Sequence, residues 1–274
     1  DPLAFYRRLR EVNPSPFMGI IEGREWSVVS GSPERLFTFT PAPLDRPVSG
    51  RSPGAWVSGG RAGTLCARPI AGTRPRSTLA AEDERLEEEL RASRKEQAEH
   101  VMLVDLLRND LSRVCEAGSV EVSEAFTVER YSHVMHLVSE VRGSTQASLA
   151  EMIAAIFPGG TITGAPKESV MAEIARLEPV PRGAYTGSLG YVSGAGADFN
   201  ILIRSLTTVG DVGYVSAGGG IVIESDPEDE YLETRYKAEA LLYALGGGQR
   251  GVAPAAPHRL RSWRPPQPSR RTPA

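Results

Sequence analysis

Long helical segments alternate along this chain with blocks of short strands, and that order limits the folds open to it. The last block covers residues 184–224, where the strand-like segments AYTGSLGYV, FNILIRSLTTV and GYVSAGGGIVI are separated by short polar or glycine-containing breaks. Short connections favour antiparallel neighbours. Blocks of meandering strands between long helices predict an α+β domain and argue against a doubly wound parallel sheet.

The rest of the chain fits the same class. Residues 18–37 predict a strand, a turn, a second strand and then a loop at Ser32-Pro33-Glu34. Two further strand-like segments lie around Val120 and at residues 134–141. Apolar periodicity and helix-start signals predict helices at residues 78–114, at SLAEMIAAIF, from Pro166 and at residues 226–245.

Two segments lack periodicity. Residues 41–63 are rich in Pro, Gly and Ser and predict a long surface loop. Residues 247–274 combine Pro and Arg with few apolar residues and predict a disordered tail. The sequence therefore predicts one ordered domain over residues 1–246.

The composition restricts the class of protein. The chain has 274 residues, 41% of them hydrophobic, which is enough for a sizeable core. A formal charge of -3 gives no bulk attraction to nucleic acid or to a membrane surface, and no apolar run is long enough to span a bilayer. Cys66 and Cys115 fit no disulfide framework or zinc spacing, and no signal peptide is evident, so we expect a cytoplasmic protein.

Two pairs of acidic residues are candidates for a metal site. Glu230 and Glu233 share one helical face with Lys237, and Glu96 and Glu99 form a second E-x-x-E pair at the edge of an apolar face. Such pairs are more often solvated, salt-bridged stripes. Together, however, they could supply the hard oxygen ligands that magnesium prefers and leave positions for water and a substrate carboxylate.

A glycine run and an arginine are candidates for anion binding. In Ala217–Gly220 the backbone N–H groups can approach an anion closely, although a bulge or a close strand crossing would use the same residues. The run is not a GxGxxG motif before a helix, which disfavours a dinucleotide site. Arg204 lies in an apolar strand-like segment, where it either faces solvent or is buried as a carboxylate clamp.

Two titratable residues could transfer protons. His136 lies in a strand-like segment, where a lone histidine is more often structural than catalytic. Glu34 lies in a predicted loop and is either an ordinary turn acid or a positioned general acid. No GxSxG sequence or cysteine nucleophile motif is present, which argues against a serine or cysteine hydrolase.

The ordered set SPE, PIAGT, E-x-x-EH, RND, HLVS, GAPK, IRS, AGGG and EYxET-x-x-K resembles the chorismate-utilising enzymes. The resemblance covers about Phe5 to Leu245, and nine motifs in the right order are specific for that family. The fold that it implies has two large antiparallel sheets packed together, with helices outside and a deep active-site cleft.

The resemblance also implies roles for residues already singled out. Glu99 and Glu233 match positions that hold magnesium, with Glu96 and Glu230 beside them, and the ion holds the ring carboxylate of chorismate. Other positions match groups that bind the substrate's carboxylates, namely Tyr185, Arg204, Lys237 and the amides around Gly218, Gly219 and Gly220. Three further positions match catalytic groups: Glu34 protonates the departing C4 hydroxyl, His136 lies near the reacting ring, and Thr73 makes a polar contact there.

Within the family, the motifs point in two directions. FPGGTITGAPK, YTGSLGY and DFNILIRSL resemble aminodeoxychorismate synthase component I, whereas YSHVMHLVS and RPIAGT look more like anthranilate synthase. Ala71 occupies a position where some aminodeoxychorismate synthases carry a lysine that attacks the ring, and a methyl group cannot do so.

The expected reaction is amination of chorismate to 4-amino-4-deoxychorismate for folate synthesis. Because the chain shows no glutaminase nucleophile motif, ammonia is expected from a separate glutaminase subunit. The alternatives are anthranilate synthase component I and a non-catalytic chorismate-binding subunit.

Overall fold

A computed structural model describes residues 1–43, 56–131, 134–223 and 225–246 of the chain. Residues 44–55 of the predicted loop and the whole predicted tail at 247–274 lie outside the described residues. None of the described helices is long and apolar enough to cross a membrane.

The described residues form helices and strands in alternating blocks. The helices are α1 (Pro2–Val12), α2 (Trp56–Gly59), α3 (Ala80–Ala92), α4 (Arg94–Ser112), α5 (Leu149–Ile156), α6 (Gly160–Thr163), α7 (Lys167–Leu177) and α8 (Pro227–Ala244). The strands are β1 (Phe17–Glu22), β2 (Trp26–Ser32), β3 (Arg35–Pro41), β4 (Gly63–Ala67), β5 (Ile70–Pro75), β6 (Glu121–Arg130), β7 (Val134–Thr145), β8 (Gly190–Ser193), β9 (Gly196–Asn200), β10 (Ser205–Val209) and β11 (Val212–Ser216).

The strands form two antiparallel sheets. The smaller sheet has the order β1-β2-β10-β11, and the larger has the order β5-β7-β4-β3-β9-β8 with β6 also paired to β7. Every strand pair is antiparallel. The predicted α+β class with two antiparallel sheets and helices is confirmed.

The single helix predicted for residues 78–114 is wrong. The helical stretch breaks at Ser93, whose backbone is extended (φ -67°, ψ 106°) and whose side chain accepts a hydrogen bond from the Glu96 amide at 3.4 Å. Ser93 therefore acts as the N-cap of α4. The break allows α4, which carries Glu96 and Glu99, to take its own direction against the sheet.

The strand predicted through FNILIRSLTTV is also wrong. β9 ends at Asn200 and β10 begins at Ser205, and the two belong to different sheets. Arg204 lies at the crossing with φ 48°, a left-handed conformation that a regular strand cannot contain. The predicted third strand ends at Ser216, before the glycine run.

Each sheet packs against its own helices. Residues of α4 and α5 cover the larger sheet around the fully buried Phe37, Leu65 and Met152. α1 and α8 pack on the smaller sheet around Leu9 and Leu241. The side chain of Asp226 caps α8 by accepting from the Glu228 and Asp229 amides at 3.0 and 3.1 Å. This packing places Glu230, Glu233 and Lys237 next to the end of β11.

Candidate functional site

Glu34 lies between β2 and β3, where the backbone is held from two sides. Its amide donates to the Ser32 hydroxyl at 3.2 Å, and its carbonyl accepts from the Ile201 amide at 3.1 Å. The second bond ties the loop to the segment that carries the chain from the larger sheet to the smaller one. The backbone of Glu34 is therefore fixed where the chain passes between the two sheets.

The environment of Glu34 favours its protonated form. Burial raises the pKa of the Glu34 carboxyl to about 7, opposed by the Thr161 hydroxyl and by the charges of Lys237 and Arg204. The Thr161 hydroxyl is buried and makes no hydrogen bond in the described part of the chain.

Arg204 is partly buried, and its charge acts on the Glu34 carboxyl; its role as a carboxylate clamp stays a prediction. Its carbonyl accepts a hydrogen bond from the Gly31 amide at 2.9 Å, which fixes the left-handed backbone. Burial lowers the pKa of the guanidinium, and the Glu34 charge opposes that change. A non-glycine residue held in this region is strained, and such positions are concentrated at functional sites.

His136 lies on β7 with its ring held at Nδ1. This nitrogen is 3.0 Å from the Thr73 hydroxyl and 3.4 Å from the Gly72 carbonyl. Burial lowers the pKa of His136, so the imidazole is neutral near pH 7. Because a carbonyl can only accept, the contact with Gly72 favours a proton on Nδ1 and leaves Nε2 as an acceptor.

Gly72 is required at its position for two reasons. Its φ of 67° is left-handed, at a register shift between Ala71 and Thr73 where β5 pairs with β7. A Cβ atom added to Gly72 would lie 2.6 Å from Oε2 of Glu96. The glycine therefore lets the backbone reach His136 on one side and the acid of α4 on the other.

The glycine run collects side chains from two distant segments. A Cβ atom on Gly218 would lie 2.9 Å from the Tyr185 hydroxyl oxygen. A Cβ atom on Gly219 would lie 3.0 Å from Oε2 of Glu230 and 3.8 Å from both Oε1 of Glu233 and Nζ of Lys237. The absence of side chains in the run leaves room for this approach, and the structure brings Tyr185 and Lys237 together at the run.

The acids of α8 differ in their contacts. Lys237 Nζ lies 2.5 Å from Glu233 Oε1, in an ion pair within the helix. Ser225 donates to Glu230 Oε1 at 2.6 Å, whereas Glu230 Oε2 is buried and has no hydrogen-bond partner among the residues that the structure describes. A buried carboxylate oxygen without a donor fits a bound cation.

The acids of α4 are held separately. Arg74 Nη1 lies 3.1 Å from Glu96 Oε1, and Glu99 is partly buried on the same helix. In the described ranges, no group of three or more His, Cys, Asp or Glu side chains lies close enough to hold a metal ion. The magnesium site built from Glu96, Glu99, Glu230 and Glu233 stays a prediction, supported on the α8 side by the unpaired oxygen of Glu230.

A cavity of about 60 Å³ opens beside His136 and Arg204, and Tyr131 and Pro33 form part of its wall. The Tyr131 ring lies 5.7 Å from the His136 ring. A larger cavity of about 440 Å³, near Asp105 and Arg108 of α4, contains none of the predicted site residues. The volume of a cavity therefore does not identify the site; the chemistry of its lining does.

Sequence reasoning missed Thr161 and Tyr131. Neither has a charge or a spacing pattern that would mark it. The glycine pair that precedes Thr161 was the available signal, because it indicates a backbone that approaches other elements closely.

The assembled groups form one chemical arrangement. The charges of Arg204 and Lys237 act on the Glu34 carboxyl, which is partly protonated at neutral pH; Arg204 shares a cavity with the neutral His136, and Lys237 lies beside the glycine run. Such a site can hold a small substrate with negative charges and protonate a departing oxygen.

Comparisons with known proteins identify the family to which the chain is similar. Residues 1–243 match the family described as chorismate binding enzyme. Aminodeoxychorismate synthase component 1 of Bacillus subtilis (strain 168) is 45% identical over 247 residues, covering 89% of this chain and 48% of that protein. Anthranilate synthase component 1 of Methanothermobacter marburgensis is 45% identical over 248 residues, covering 89% of this chain and 49% of that protein.

A solved structure shows the same fold. Anthranilate synthase component I from Streptococcus pneumoniae TIGR4 superposes with a TM-score of 0.72 at 35% identity, over 88% of this chain and 49% of the other. The chain thus spans about half the length of the relatives that it matches.

The protonation of Glu34 should make stability depend on pH. Its folded pKa of about 7 exceeds the ordinary value of 4.5, so its stabilising contribution is complete below about pH 4.5 and is lost as the pH rises through about 7. We expect Glu34→Gln to flatten the free energy of unfolding across this window, by up to about 3 kcal/mol. Urea denaturation at several pH values measures this.

The exposed Glu22, at the end of β1, provides the matched control. Glu22→Gln should keep the pH dependence of the parent protein. The same slope in the Glu34→Gln and parent proteins would show that Glu34 is not protonated at neutral pH.

Proposed function

Because the chain belongs to the chorismate binding enzyme family, we propose that it aminates chorismate to 4-amino-4-deoxychorismate. The observation that carries the proposal is Glu34, a carboxyl group with a pKa of about 7 near Arg204 and Lys237. Hydroxide is a poor leaving group, and a proton donor allows the hydroxyl to leave as water instead.

The cationic groups suit a substrate with two carboxylates. Arg204 lines the cavity beside His136, and Lys237 lies at the glycine run, where Tyr185 approaches the neighbouring glycine. A guanidinium can form two parallel hydrogen bonds with a carboxylate, and backbone amides at Gly218, Gly219 and Gly220 can donate to another. We assign these groups to binding and orientation of chorismate.

A magnesium ion is proposed at the carboxylates of α8 and α4. Glu230 and Glu233 would hold it from one side and Glu96 and Glu99 from the other, with the unpaired Oε2 of Glu230 as the supporting observation. When bound, the ion supplies positive charge that holds and polarises a substrate carboxylate. Lys237 pairs with Oε1 of Glu233 in the structure, so it would compete with a magnesium ion for that oxygen.

The reaction is a substitution at C4. Glu34 gives its proton to the C4 hydroxyl, the C4–O bond breaks, and water leaves; ammonia forms the C4–N bond and then loses a proton. Nε2 of the neutral His136 can accept that proton, and Thr73 holds the ring through Nδ1. Ala71 is 6% exposed and bears only a methyl group, so no covalent lysine adduct forms from this position.

Anthranilate synthesis is the second candidate. The relatives that match at similar identity include proteins named anthranilate synthase component 1, and Ala71 is the observation that favours this reaction. In that reaction ammonia adds at C2, the C4 hydroxyl leaves, and pyruvate is then eliminated. Glu34 would serve both reactions as the proton donor.

We propose a separate glutaminase subunit as the source of ammonia, in the cytoplasm. The sequence motifs of the chain account for the ring chemistry and include no glutaminase nucleophile motif. Free ammonium should therefore replace the partner in an assay.

The products formed by the purified chain decide between the candidates. With chorismate, magnesium and ammonium, we expect an aminated ring that retains its enolpyruvyl group, identified by mass. Fluorescent anthranilate with an equal amount of pyruvate would replace the leading proposal with the second candidate. Bound but unchanged chorismate would instead indicate a binding subunit without turnover.

The metal assignment predicts a specific loss in one variant. Glu233→Gln removes a carboxylate from α8, so turnover should be abolished or need more than about tenfold higher magnesium. Titration of activity with magnesium, and of the free protein with Mg²⁺ by calorimetry, measures this. Glu228→Gln, an exposed acid in the first turn of the same helix, is the matched control. If the Glu233→Gln protein kept the magnesium dependence of the parent protein, Glu233 would not be a ligand of the ion.

A further inference from the structure

Tyr131 follows directly after β6 and lies next to a row of polar side chains on the larger sheet. Glu129 is the partner of His136 where β6 pairs with β7, and Thr73 is its partner where β5 pairs with β7. Residues paired directly across strands project from the same face of a sheet. Glu129, His136 and Thr73 therefore share one face, and the Tyr131 ring lies beside them, 5.7 Å from the His136 ring.

The backbone of Tyr131 is held from two sides. Its amide donates to the Val134 carbonyl at 2.8 Å, and its carbonyl accepts from Arg76 Nη1 at 2.8 Å. Arg76 is itself fixed by Asp83 of α3, whose Oδ2 lies 2.8 Å from Arg76 Nη2. Asp83 is buried, so this contact is largely shielded from water. The base of the Tyr131 side chain therefore has a fixed position relative to β7 and α3.

The far end of the Tyr131 side chain is held as well. Its hydroxyl donates to Glu129 Oε2 at 2.6 Å, and the other oxygen of Glu129 accepts from Arg68 Nη2 at 2.5 Å. Burial raises the pKa of Tyr131 to about 12, so the hydroxyl keeps its proton and remains the donor. Because a hydrogen bond to a charged group is stronger than one between neutral groups, Glu129 holds the ring firmly beside His136.

The Tyr131 ring forms part of the wall of the cavity of about 60 Å³ that His136 and Arg204 also line. Pro33 and Val134 add apolar surface to the same wall. A group that enters so small a cavity to meet Arg204 must contact the surrounding side chains. Because the hydroxyl proton of Tyr131 is engaged elsewhere, the ring carbon atoms are what Tyr131 offers. This wall therefore fits an apolar part of a substrate whose charge is held by Arg204.

We propose that the Tyr131 ring contacts the carbon framework of the substrate and that Glu129 is a positioning residue that holds this ring in place. The proposal rests on the proposed function, because it takes chorismate to be the ligand of this cavity. Glu129 acts through Tyr131 and need not touch the substrate. An acceptor oxygen at position 129 is sufficient for this role, and the negative charge is not required.

Binding of chorismate to the free protein, measured by calorimetry with magnesium and without ammonium, tests the proposal. Tyr131→Leu removes the ring, whereas Tyr131→Phe keeps the ring and removes only the hydroxyl. Glu129→Leu and Glu129→Gln both remove the charge, but only Gln keeps an oxygen that can accept from Tyr131. The two Glu129 variants therefore have equal charge and differ in the hydrogen bond alone.

We expect Tyr131→Leu to weaken chorismate binding by about tenfold or more, because an aromatic contact is lost. Tyr131→Phe should bind roughly two- to tenfold more weakly than the parent protein, and Glu129→Leu should bind more weakly than Glu129→Gln by a similar factor. In the Tyr131→Phe background the two Glu129 variants should bind equally, because the bond that distinguishes them is already absent.

Glu124 provides the matched control. It accepts from Arg68 Nη2 at 3.0 Å, as Glu129 does, and it belongs to the same strand, β6. Its printed partner is Arg68 alone, so it tests the loss of a carboxylate beside Arg68 without the loss of the Tyr131 bond. Glu124→Leu and Glu124→Gln should bind chorismate with equal affinity.

Equal chorismate affinity in the Tyr131→Leu and parent proteins would overturn the proposed contact. Equal affinity in Glu129→Leu and Glu129→Gln would overturn the positioning role, and so would a difference that persists in the Tyr131→Phe background. If Tyr131→Leu does not fold, Tyr131→Phe and the Glu129 variants still decide the question.

The outcome is distinguishable from a failure of the proposed function. A parent protein that binds chorismate but forms anthranilate, or no product, contradicts the leading reaction and leaves the affinities of the variants as a valid test of Tyr131 and Glu129. Failure of the parent protein to bind chorismate would overturn both proposals.

Discussion

The burial of Glu34 near two cations is the interaction on which the rest of the site depends. Transfer of a carboxylate out of water is expensive, and the group avoids the cost by holding its proton. Arg204 and Lys237 offset that cost in part, which leaves the pKa of the carboxyl at about 7. Deeper burial would raise the pKa of Glu34 further, so the carboxyl group would not release its proton at neutral pH. Stronger compensation by the cations would lower the pKa, so the carboxyl group would carry no proton to donate.

The fold sets the balance between burial and cationic charge at Glu34 by bringing three distant segments together. The loop after β2 carries Glu34, the crossing between the two sheets carries Arg204, and α8 carries Lys237. The crossing requires a left-handed residue at 204, and the bulge in β5 requires glycine at 72 so that its carbonyl reaches His136. Local backbone strain at these positions is compensated by packing elsewhere in the two sheets.

Much of this arrangement could be predicted from the sequence. Alternation of helices and short strands identified the α+β class, and the acids of α8 followed from helical spacing. The break at Ser93 and the sheet crossing at Arg204 were not predicted, since neither Gly nor Pro marks them and tertiary packing decides where the backbone turns. The Lys167–Asp110 ion pair was missed because its two members are distant in sequence. The convergence of the α4 and α8 acids on one metal ion likewise depends on tertiary placement, and it stays a prediction.

The role proposed for Glu34 can be tested by counting the protons taken up in a titration with chorismate. Calorimetric titration at about pH 8, without ammonium and in buffers of different ionisation enthalpy, gives the number of protons taken up. A dianion placed beside an ionised carboxyl group raises its pKa further, so binding should take up close to one proton, and Glu34→Gln should abolish the uptake. Equal uptake by the parent and Glu34→Gln proteins would contradict the central role given to Glu34.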